Sequence, residues 1–391
     1  MKKVLIVSGC YMRGDTTGLV GKFLNTIKDI DKKFLNISLF DIGFFDVKHN
    51  PSNYPVDCYY GLPVNRIESI IRKLPRFRSW YAEYLIVSTF KKLLKKNYYN
   101  AVILHHIPTF ADRLVSISHQ YKTQIIFYPG GSDILRVDER LKKRLMYAFS
   151  KVDYVVGAVD SNVILKSKEI YHVPDSKIKL RKTYLSGVRM LMSVDAKISK
   201  NEMMKIVGIP NANYNIVCSY NGYKEHRHSI IIDSVIKNKG NLPRDYQLVF
   251  PMTYGAPQGY IDELRKKCSE AGLNAVFLTS FITNEQMAYL HLVTDLFIEI
   301  QPTDSGNAFM IEALFAGNRI ITGSWLNYRQ FEQFGIPYHL IDSIEELPEM
   351  LCCIFSKCIA RPVISNELIN YYKIPKDYSS SSFWEDLFSI I

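Results

Sequence analysis

The stretch from Ile298 to Gly323 reads IEIQPTDSGNAFMIEALFAGNRIITG, and it contains one complete unit of an α/β fold. Its pattern predicts a strand that ends near Glu299, a polar loop, a helix closed by Gly317, and a new strand from Arg319. A strand–loop–helix–strand unit of this kind is typical of a parallel sheet that carries helices on its faces.

The same alternation of apolar runs and amphipathic stretches occupies both halves of the 391-residue chain. Because it occurs twice, with a break near residues 185–215, we predict an α/β fold with two Rossmann-like domains facing a cleft. The domains span residues 1–190 and 191–370, and a tail over 371–391 ends in a helix that docks back on the first domain. The predicted strands are Val4–Ser8, Phe34–Phe40, Ala101–His105, Gln124–Tyr128, Tyr154–Ala158, Asn215–Ser219, Gln247–Pro251, Ala275–Leu278, Leu296–Glu299 and Arg319–Thr322.

The composition is that of a globular protein with an anionic partner or surface. Apolar residues make up 47%, charged residues 22%, and the formal net charge is +11. The seven cysteines include no C-x-x-C pair, which favours reduced thiols over disulfides or a zinc site. No apolar run approaches the roughly 18 residues of a spanning helix, so we expect a cytoplasmic protein.

The loop between Glu299 and the following helix has the features of a phosphate site. Small residues at Ser305, Gly306 and Asn307 let the backbone approach a ligand, and the free N–H groups of a helix start favour a phosphate. A carboxylate at Glu312, one turn into the helix, can accept hydrogen bonds from a ribose diol, while Asp304 can reach a sugar hydroxyl. Alternatively, Asp304 or Ser305 caps the helix and Glu312 is solvated. The spacing alone leaves both interpretations open.

The segment resembles the donor-binding motif of the family 4 GT-B glycosyltransferases, in which two glutamates are separated by seven residues. Asp304 occupies the first acidic position, as a shorter carboxylate, and Glu312 the second. Residues 128–134, 174–188 and 278–286 add further likenesses in the same order. Within the group, the chain is most similar to bacterial transferases that add 4-acetamido-4,6-dideoxygalactose from a dTDP donor to a lipid-linked disaccharide.

This resemblance implies a retaining transfer of a hexosyl or acetamidohexosyl unit from a nucleotide sugar to a saccharide or polyprenyl-linked acceptor. The product would belong to a bacterial surface polysaccharide, such as O-antigen or capsule. The first domain would hold the acceptor and the second the donor. No cofactor is implied, and no metal is expected, because the tripeptide at residues 29–31 reads as a solvated helix end rather than a metal-binding Asp-x-Asp.

Two cations follow the first strand of the second domain, and we expect them to act in catalysis. Lys224 and Arg227 can neutralise the leaving diphosphate, with Asn221 and Gly222 supplying the backbone turn. A solvated loop with ordinary charges is the alternative. Asp304 is also counted among the catalytic residues.

The sequence contains two pairs of histidines near predicted strand ends, and we assign a functional role to only one pair. His105 and His106 follow a strand, and the resemblance implies that a histidine here contacts the donor sugar. Strand alternation sends one inward and one outward, which leaves the choice open; we place His106 with the catalytic group and His105 on the acceptor side. His226 and His228 are interpreted as incidental.

The remaining predicted contacts surround these groups. On the donor side they are Tyr254, Phe281 and Ile282, and on the acceptor side Arg13, Gly14, Asp15 and Asp133.

Residues 66–96 combine positive charge with aromatic side chains. Nine lysines and arginines against Glu68 and Glu83 give +7. A basic, aromatic helix can lie on an anionic membrane surface, or it can be an ordinary amphipathic helix with a solvated face. Nucleic acid is not expected, since no recognised motif accompanies the patch. Two other functions stay open: a sugar-nucleotide 2-epimerase on the same architecture, and a non-catalytic protein that binds membrane or nucleic acid.

Overall fold

The computed structural model describes the chain outside residues 9–19, 21–22, 25–26, 28–29, 31–33, 44–53, 63–74, 159–160, 182–185, 195–196, 305–307, 327, 329–337, 357–365 and 373–381. It divides into two compact units, Met1–Thr183 with Pro375–Ile391, and Tyr184–Ile374. The expected boundary at residue 190 would cut the helix Ser186–Ser193, and the structure assigns that helix wholly to the second unit.

The first unit is built on a sheet of seven parallel strands in the order β3-β2-β1-β4-β5-β6-β7. The strands are β1 (Lys2–Ser8), β2 (Leu35–Asp41), β3 (Cys58–Tyr60), β4 (Ala101–His105), β5 (Gln124–Tyr128), β6 (Tyr154–Ala158) and β7 (Ile178–Arg181). The helices are α1 (Pro75–Lys96), α2 (Ala111–Gln120), α3 (Ser132–Leu135), α4 (Glu139–Lys151) and α5 (Asn162–Tyr171).

Both faces of this sheet are buried, as the apolar strands require. Leu5 and Val7 of β1 belong to one hydrophobic cluster, and Val4 and Ile6 to another on the opposite face. Successive side chains of a strand point to opposite faces, so a continuous apolar run is what a strand covered on both sides needs.

The second unit repeats the plan with six parallel strands in the order β10-β9-β8-β11-β12-β13. The strands are β8 (Tyr214–Cys218), β9 (Tyr246–Pro251), β10 (Ala275–Leu278), β11 (Leu296–Glu299), β12 (Arg319–Gly323) and β13 (His339–Ile341). The helices are α6 (Ser186–Ser193), α7 (Lys200–Val207), α8 (His228–Lys237), α9 (Gln258–Glu270), α10 (Asn284–Val293), α11 (Ala308–Phe315), α12 (Leu347–Ser356) and α13 (Asn366–Tyr372).

The strand order places a topological switch point at the same position in each sheet. The order reverses between β1 and β4 in the first unit and between β8 and β11 in the second. Open α/β sheets bind ligands beyond the carboxyl ends of the strands at such a point. The residues that follow these four strands are therefore the first candidates for function.

The C-terminal helix α14 (Ser382–Ser389) packs on the first unit, as predicted. Trp384 is fully buried, with its ring 5.2 Å from Phe23 and 5.9 Å from Tyr128. The Lys2 ammonium donates hydrogen bonds to the carbonyls of Phe388 and Ser389 at 2.7 and 3.0 Å. A cation at a helix C-terminus satisfies carbonyls that have no partner within the helix.

The short edge strands are where the sequence prediction misses structure. Neither β3, β7 nor β13 was predicted, and each is only three or four residues long. Strands of this length carry too little alternation to be separated from loop.

Within the part of the chain that the structure describes, no helix is long and apolar enough to cross a membrane.

Candidate functional site

The ends of β8 and β11 are joined by polar contacts. Ser219 follows β8 with φ 61°, and its backbone N–H donates to the carbonyl of Ile298 at 2.9 Å. Its hydroxyl donates to Glu299 Oε2 at 3.3 Å. A left-handed backbone at a non-glycine residue is uncommon and marks positions where surrounding contacts fix the chain.

His226 completes this cluster from the next turn. It is 2% exposed, its Nδ1 is hydrogen-bonded to the Ser219 hydroxyl, and the same atom lies 3.6 Å from Glu299 Oε1. Glu299 is fully buried. Burying a carboxylate is costly without such partners, so these contacts hold His226 and its turn against the end of β11.

Lys224 and Arg227 flank that anchored histidine. The Lys224 ammonium is exposed and lies 5.0 Å from the centre of the Tyr260 ring. Arg227 has φ 58°, donates to the carbonyl of Ile300 at 3.0 Å, and lies 5.7 Å from the ring of Trp325. Burial lowers the pKa of Arg227. The two predicted cations thus share one loop at the switch point of the second unit.

The predicted backbone turn lies in the same loop and packs on the loop after β9. Asn221 Oδ1 accepts the backbone N–H of Tyr223 at 2.9 Å, and the Gly222 N–H donates to the carbonyl of Tyr254 at 2.9 Å. A Cβ at Gly222 would lie 2.4 Å from that of Ala256, so only glycine fits. Tyr254 is 42% exposed beside this turn.

Asp304 is buried in the loop after β11. It is 8% exposed, and its Oδ2 accepts a hydrogen bond from the Tyr328 hydroxyl. Burial, together with the charges of Asp304 and Glu299, raises the pKa of Tyr220 and of Tyr328. The adjoining residues Ser305, Gly306 and Asn307 lie outside the described residues.

Glu312 lies on α11 and is also buried, at 8% exposure. Its Oε2 is 3.2 Å from Nε2 of His291, on α10. Its Oε1 occupies the space that a side chain at Gly187 would need, since a Cβ there would lie 1.8 Å away. The solvated alternative considered for Glu312 is therefore wrong, because the carboxylate has a buried partner.

Phe281 and Ile282 lie between β10 and α10. Phe281 is 60% exposed, and Ile282 is partly buried. Thr283 follows and starts α10 with a capping box, in which its hydroxyl accepts the Gln286 N–H. The capped helix start fixes where this loop ends.

In the first unit, His105 points into the core. Its Nδ1 is 3.0 Å from the Ser8 hydroxyl, and its ring stacks on Phe23 and Tyr128 at 4.8 and 5.2 Å. Burial lowers the pKa of His105 to about 3, so the ring is neutral at physiological pH.

His106 takes the other direction, toward the loop after β5. It has φ 61°, its side chain is 37% exposed, and Nδ1 lies 3.8 Å from Asp133 Oδ2. The Asp133 carboxylate accepts the backbone N–H groups of Ile107, Gly130 and Gly131 at 2.6 to 3.1 Å. Asp133 thereby organises two loops.

Two predictions cannot be compared with the structure. Arg13, Gly14 and Asp15 lie outside the described residues. Among the described side chains, no group of three His, Cys, Asp or Glu could hold a metal ion, and the absence of a metal requirement stays a prediction.

Four polar residues at these sites were missed or dismissed from the sequence: Ser219, His226, Glu299 and His291. His226 was interpreted as incidental and is instead buried against Glu299. The signal available in the sequence was Glu299 itself, an acid that ends an apolar strand beside the predicted donor loop.

Comparison with known proteins gives a fold and no family. No family model and no curated protein sequence matches the chain. Among solved structures, Anabaena HepE in complex with UDP and glucose has a TM-score of 0.67 at 14% identity, covering 100% of both chains. The lipopolysaccharide outer core galactosyltransferase WaaB, in its apo form, has a TM-score of 0.66 at 13% identity, again over 100% of both chains. WaaG, a glycosyltransferase involved in lipopolysaccharide biosynthesis, has 0.64 at 12%, over 99% of both.

The predicted fold class is confirmed by this likeness. The chain has an α/β fold of two Rossmann-like units, and it is similar over its whole length to GT-B glycosyltransferases. At 12 to 14% identity the likeness concerns the fold alone.

Proposed function

We propose that the chain is a glycosyltransferase that moves a sugar from a nucleotide-sugar donor to a hydroxyl of a saccharide or lipid-linked acceptor. One observation carries the proposal: two cations, Lys224 and Arg227, lie in the loop after β8, on the strand that pairs with β11, whose following helix carries Glu312. Cations and carboxylates at neighbouring strand ends match a ligand that joins a diphosphate to sugars. The fold of the similar structures supports the same function.

Each group has a defined part in the proposed reaction. Lys224 and Arg227 stabilise the negative charge that develops on the leaving diphosphate, and Glu312 accepts hydrogen bonds from the ribose. Asp304 lies near the donor sugar, with the Tyr328 hydroxyl fixing one of its oxygens. We propose retention of the anomeric configuration and no required metal, following the family resemblance. His106, directly after β4, belongs with the catalytic group, while His105 and Asp133, which follows β5, belong to the acceptor side.

A direct test combines binding with product formation. Calorimetry of the full chain with UDP, dTDP and GDP should give sub-millimolar binding for at least one of them. Lys224→Ala should weaken that binding by about tenfold, as expected for a lost charge-assisted contact of about 1.5 kcal/mol. Lys237→Ala is the matched control, since Lys237 is exposed at the opposite end of α8.

The contrary outcomes are distinct. If no nucleoside diphosphate binds, the glycosyltransferase proposal fails. If a nucleotide sugar is converted to an epimer without an acceptor, the 2-epimerase is correct instead.

We further propose that the acceptor is a polyprenyl-linked intermediate in synthesis of a surface polysaccharide such as O-antigen or capsule, reached from an anionic membrane surface. On α1, Phe77, Trp80 and Tyr84 are 64, 65 and 57% exposed, and helical spacing puts Lys91 and Lys95 on the same side. These aromatic and basic groups suit a lipid headgroup region.

The acid on this helix does not weaken its positive face. Glu83 lies 3.2 Å from both Arg113 and Arg144, which belong to α2 and α4. The pairing neutralises Glu83 and leaves the lysines of α1 as its outward charge.

Vesicle sedimentation tests the membrane part separately. The chain should bind vesicles of phosphatidylglycerol and phosphatidylcholine, and Trp80→Ser with Tyr84→Ser should reduce the bound fraction severalfold. Phe34→Ser is the control, because Phe34 is an equally exposed aromatic outside α1, directly before β2. Unchanged binding by the double variant would exclude α1 as the contact.

A further inference from the structure

The Glu312 carboxylate lies where three helices of the second unit come together. His291 of α10 contacts one carboxylate oxygen, and the backbone of Gly187, in the first turn of α6, lies against the other. A glutamate side chain has three rotatable bonds, and ordering it on ligand binding costs conformational entropy. Contacts on both oxygens remove that freedom before a ligand arrives.

His291 is held rigidly in this arrangement. Its side chain is 1% exposed, its ring centre is 4.2 Å from that of Phe309, and its carbonyl accepts Asn318 Nδ2 at 2.8 Å. Facing an ionised carboxylate, Nε2 is the protonated nitrogen.

The environment of the other ring nitrogen, Nδ1, indicates that this position holds a histidine because its Nε2 can donate a hydrogen bond to Glu312. Among the described residues, His291 Nδ1 has no hydrogen-bond partner although it is buried. An unpartnered buried polar atom is destabilising. A phenylalanine would fill the same volume without that cost, so packing alone does not account for a histidine at this position.

Gly187 leaves space for the Glu312 carboxylate because it has no side chain. It lies inside α6, where alanine is the better helix former. A Cβ at this position would lie 1.8 Å from Glu312 Oε1 and 2.1 Å from Cδ, so the carboxylate would have to move.

We propose that His291 and Gly187 are positioning residues that hold the Glu312 carboxylate in the orientation that recognises the donor's ribose hydroxyl groups. This rests on the proposed function. His291 fixes one oxygen by donating to it, and Gly187 leaves the space in which the other lies. Neither residue itself contacts the nucleotide.

A hydroxyl-deletion experiment separates this role from a structural one. Calorimetry with the full chain compares UDP, dTDP and GDP each with its 3′-deoxy counterpart. We expect the wild type to prefer the hydroxylated member of the pair that binds by about tenfold or more, because that hydroxyl bonds to a charged group. His291→Phe should reduce the preference to about twofold or less, while affinity for the 3′-deoxy nucleotide stays nearly unchanged.

Two further variants make the result specific. His291→Gln keeps an N–H donor and should retain most of the preference. Gly187→Ala should lose it although the helix gains a better helix former, whereas Gly259→Ala, with open space around its Cβ position, should behave as wild type. Gly187→Ala also decides the matter if His291→Phe does not fold.

The outcomes that overturn the inference differ from those that overturn the function. If the wild type binds nucleoside diphosphates but Gly187→Ala and His291→Phe keep its hydroxyl preference, or weaken both nucleotides of a pair equally, the positioning role is wrong. A wild type that binds without hydroxyl preference also excludes it. Absence of all nucleotide binding refutes the proposed function instead.

Discussion

The switch points of the two sheets carry the same pair of residues in different electrostatic settings. In the first unit, Ser8 ends β1 and contacts His105; in the second, Ser219 follows β8 and contacts His226. The difference is Glu299, which ends β11 in the second unit, at the place where His105 itself ends β4 in the first. One site holds a buried neutral ring, and the other a buried carboxylate with a histidine.

This difference teaches that a common topology fixes where a site lies but not what it recognises. The first switch point is lined by stacked rings, with His105 kept neutral by burial. The second concentrates charge, with Lys224 and Arg227 on the turn that His226 anchors. Cations at a strand end suit a diphosphate, which supports the proposed role of the second unit in binding the donor.

The largest expected effect comes from removing the carboxylate that distinguishes the two sites. Glu299→Ala should destabilise the second unit by about 3 kcal/mol, since one partner of a buried pair is left behind. Hydrogen exchange resolved by peptide would show faster exchange in β8 and β11, with β1 and β4 unchanged as an internal control. Equal change in both sheets would show that the contrast between the sites is not local.

A pH titration tests the first of the two sites, where His105 is a buried neutral ring. The pKa of His105 is lowered from 6.5 to about 3 in the folded protein, so the unfolded chain binds a proton that the folded chain does not. The contribution of neutral His105 to the free energy of unfolding is therefore present above pH 6.5 and is lost as the pH falls toward 3.

Between pH 6.5 and pH 5 the free energy of unfolding should fall by about 2 kcal/mol because of His105, at about 1.36 kcal/mol per pH unit. His105→Phe should abolish most of this pH dependence in the β4 peptides. If the stability of the variant and that of the wild type depend on pH in the same way, burial does not lower the pKa of His105.

The smallest effect concerns the serine of the first site. Ser8→Ala removes one neutral hydrogen bond to His105 and should cost about 1 kcal/mol. Ser219→Ala should cost more, because Ser219 donates to Glu299 as well. A denaturant series on both variants measures the difference, and a larger loss for Ser8→Ala would reverse the ranking of the two sites.

Much of the fold was predictable because the central strands are continuous apolar runs. Ala101–His105, Gln124–Tyr128 and Leu296–Glu299 were predicted with the bounds that the structure gives them. Burial on both faces leaves an unbroken apolar signal. The edge strand His339–Ile341 has one neighbour and three residues, so it leaves almost no signal.

The candidate site was predictable only in part, for a different reason. Lys224 and Arg227 follow a strand and Glu312 lies one turn into a helix, and that local position is visible in a sequence. Glu299 acts through contacts with Ser219, 80 positions away. Nothing local distinguishes such an acid from any strand-ending residue, and the partnership exists only once β8 and β11 pair.

The return of α14 to the first unit has a consequence for the order in which the protein is made. Residues 184–374 form a continuous unit, whereas the first unit needs both residues 1–183 and residues 375–391. A ribosome therefore releases all of the second unit before it supplies Trp384, whose ring is fully buried in the first. Until then the surface that receives Trp384, including Phe23 and Tyr128, lacks its cover. The first unit therefore completes last although most of it is synthesised first.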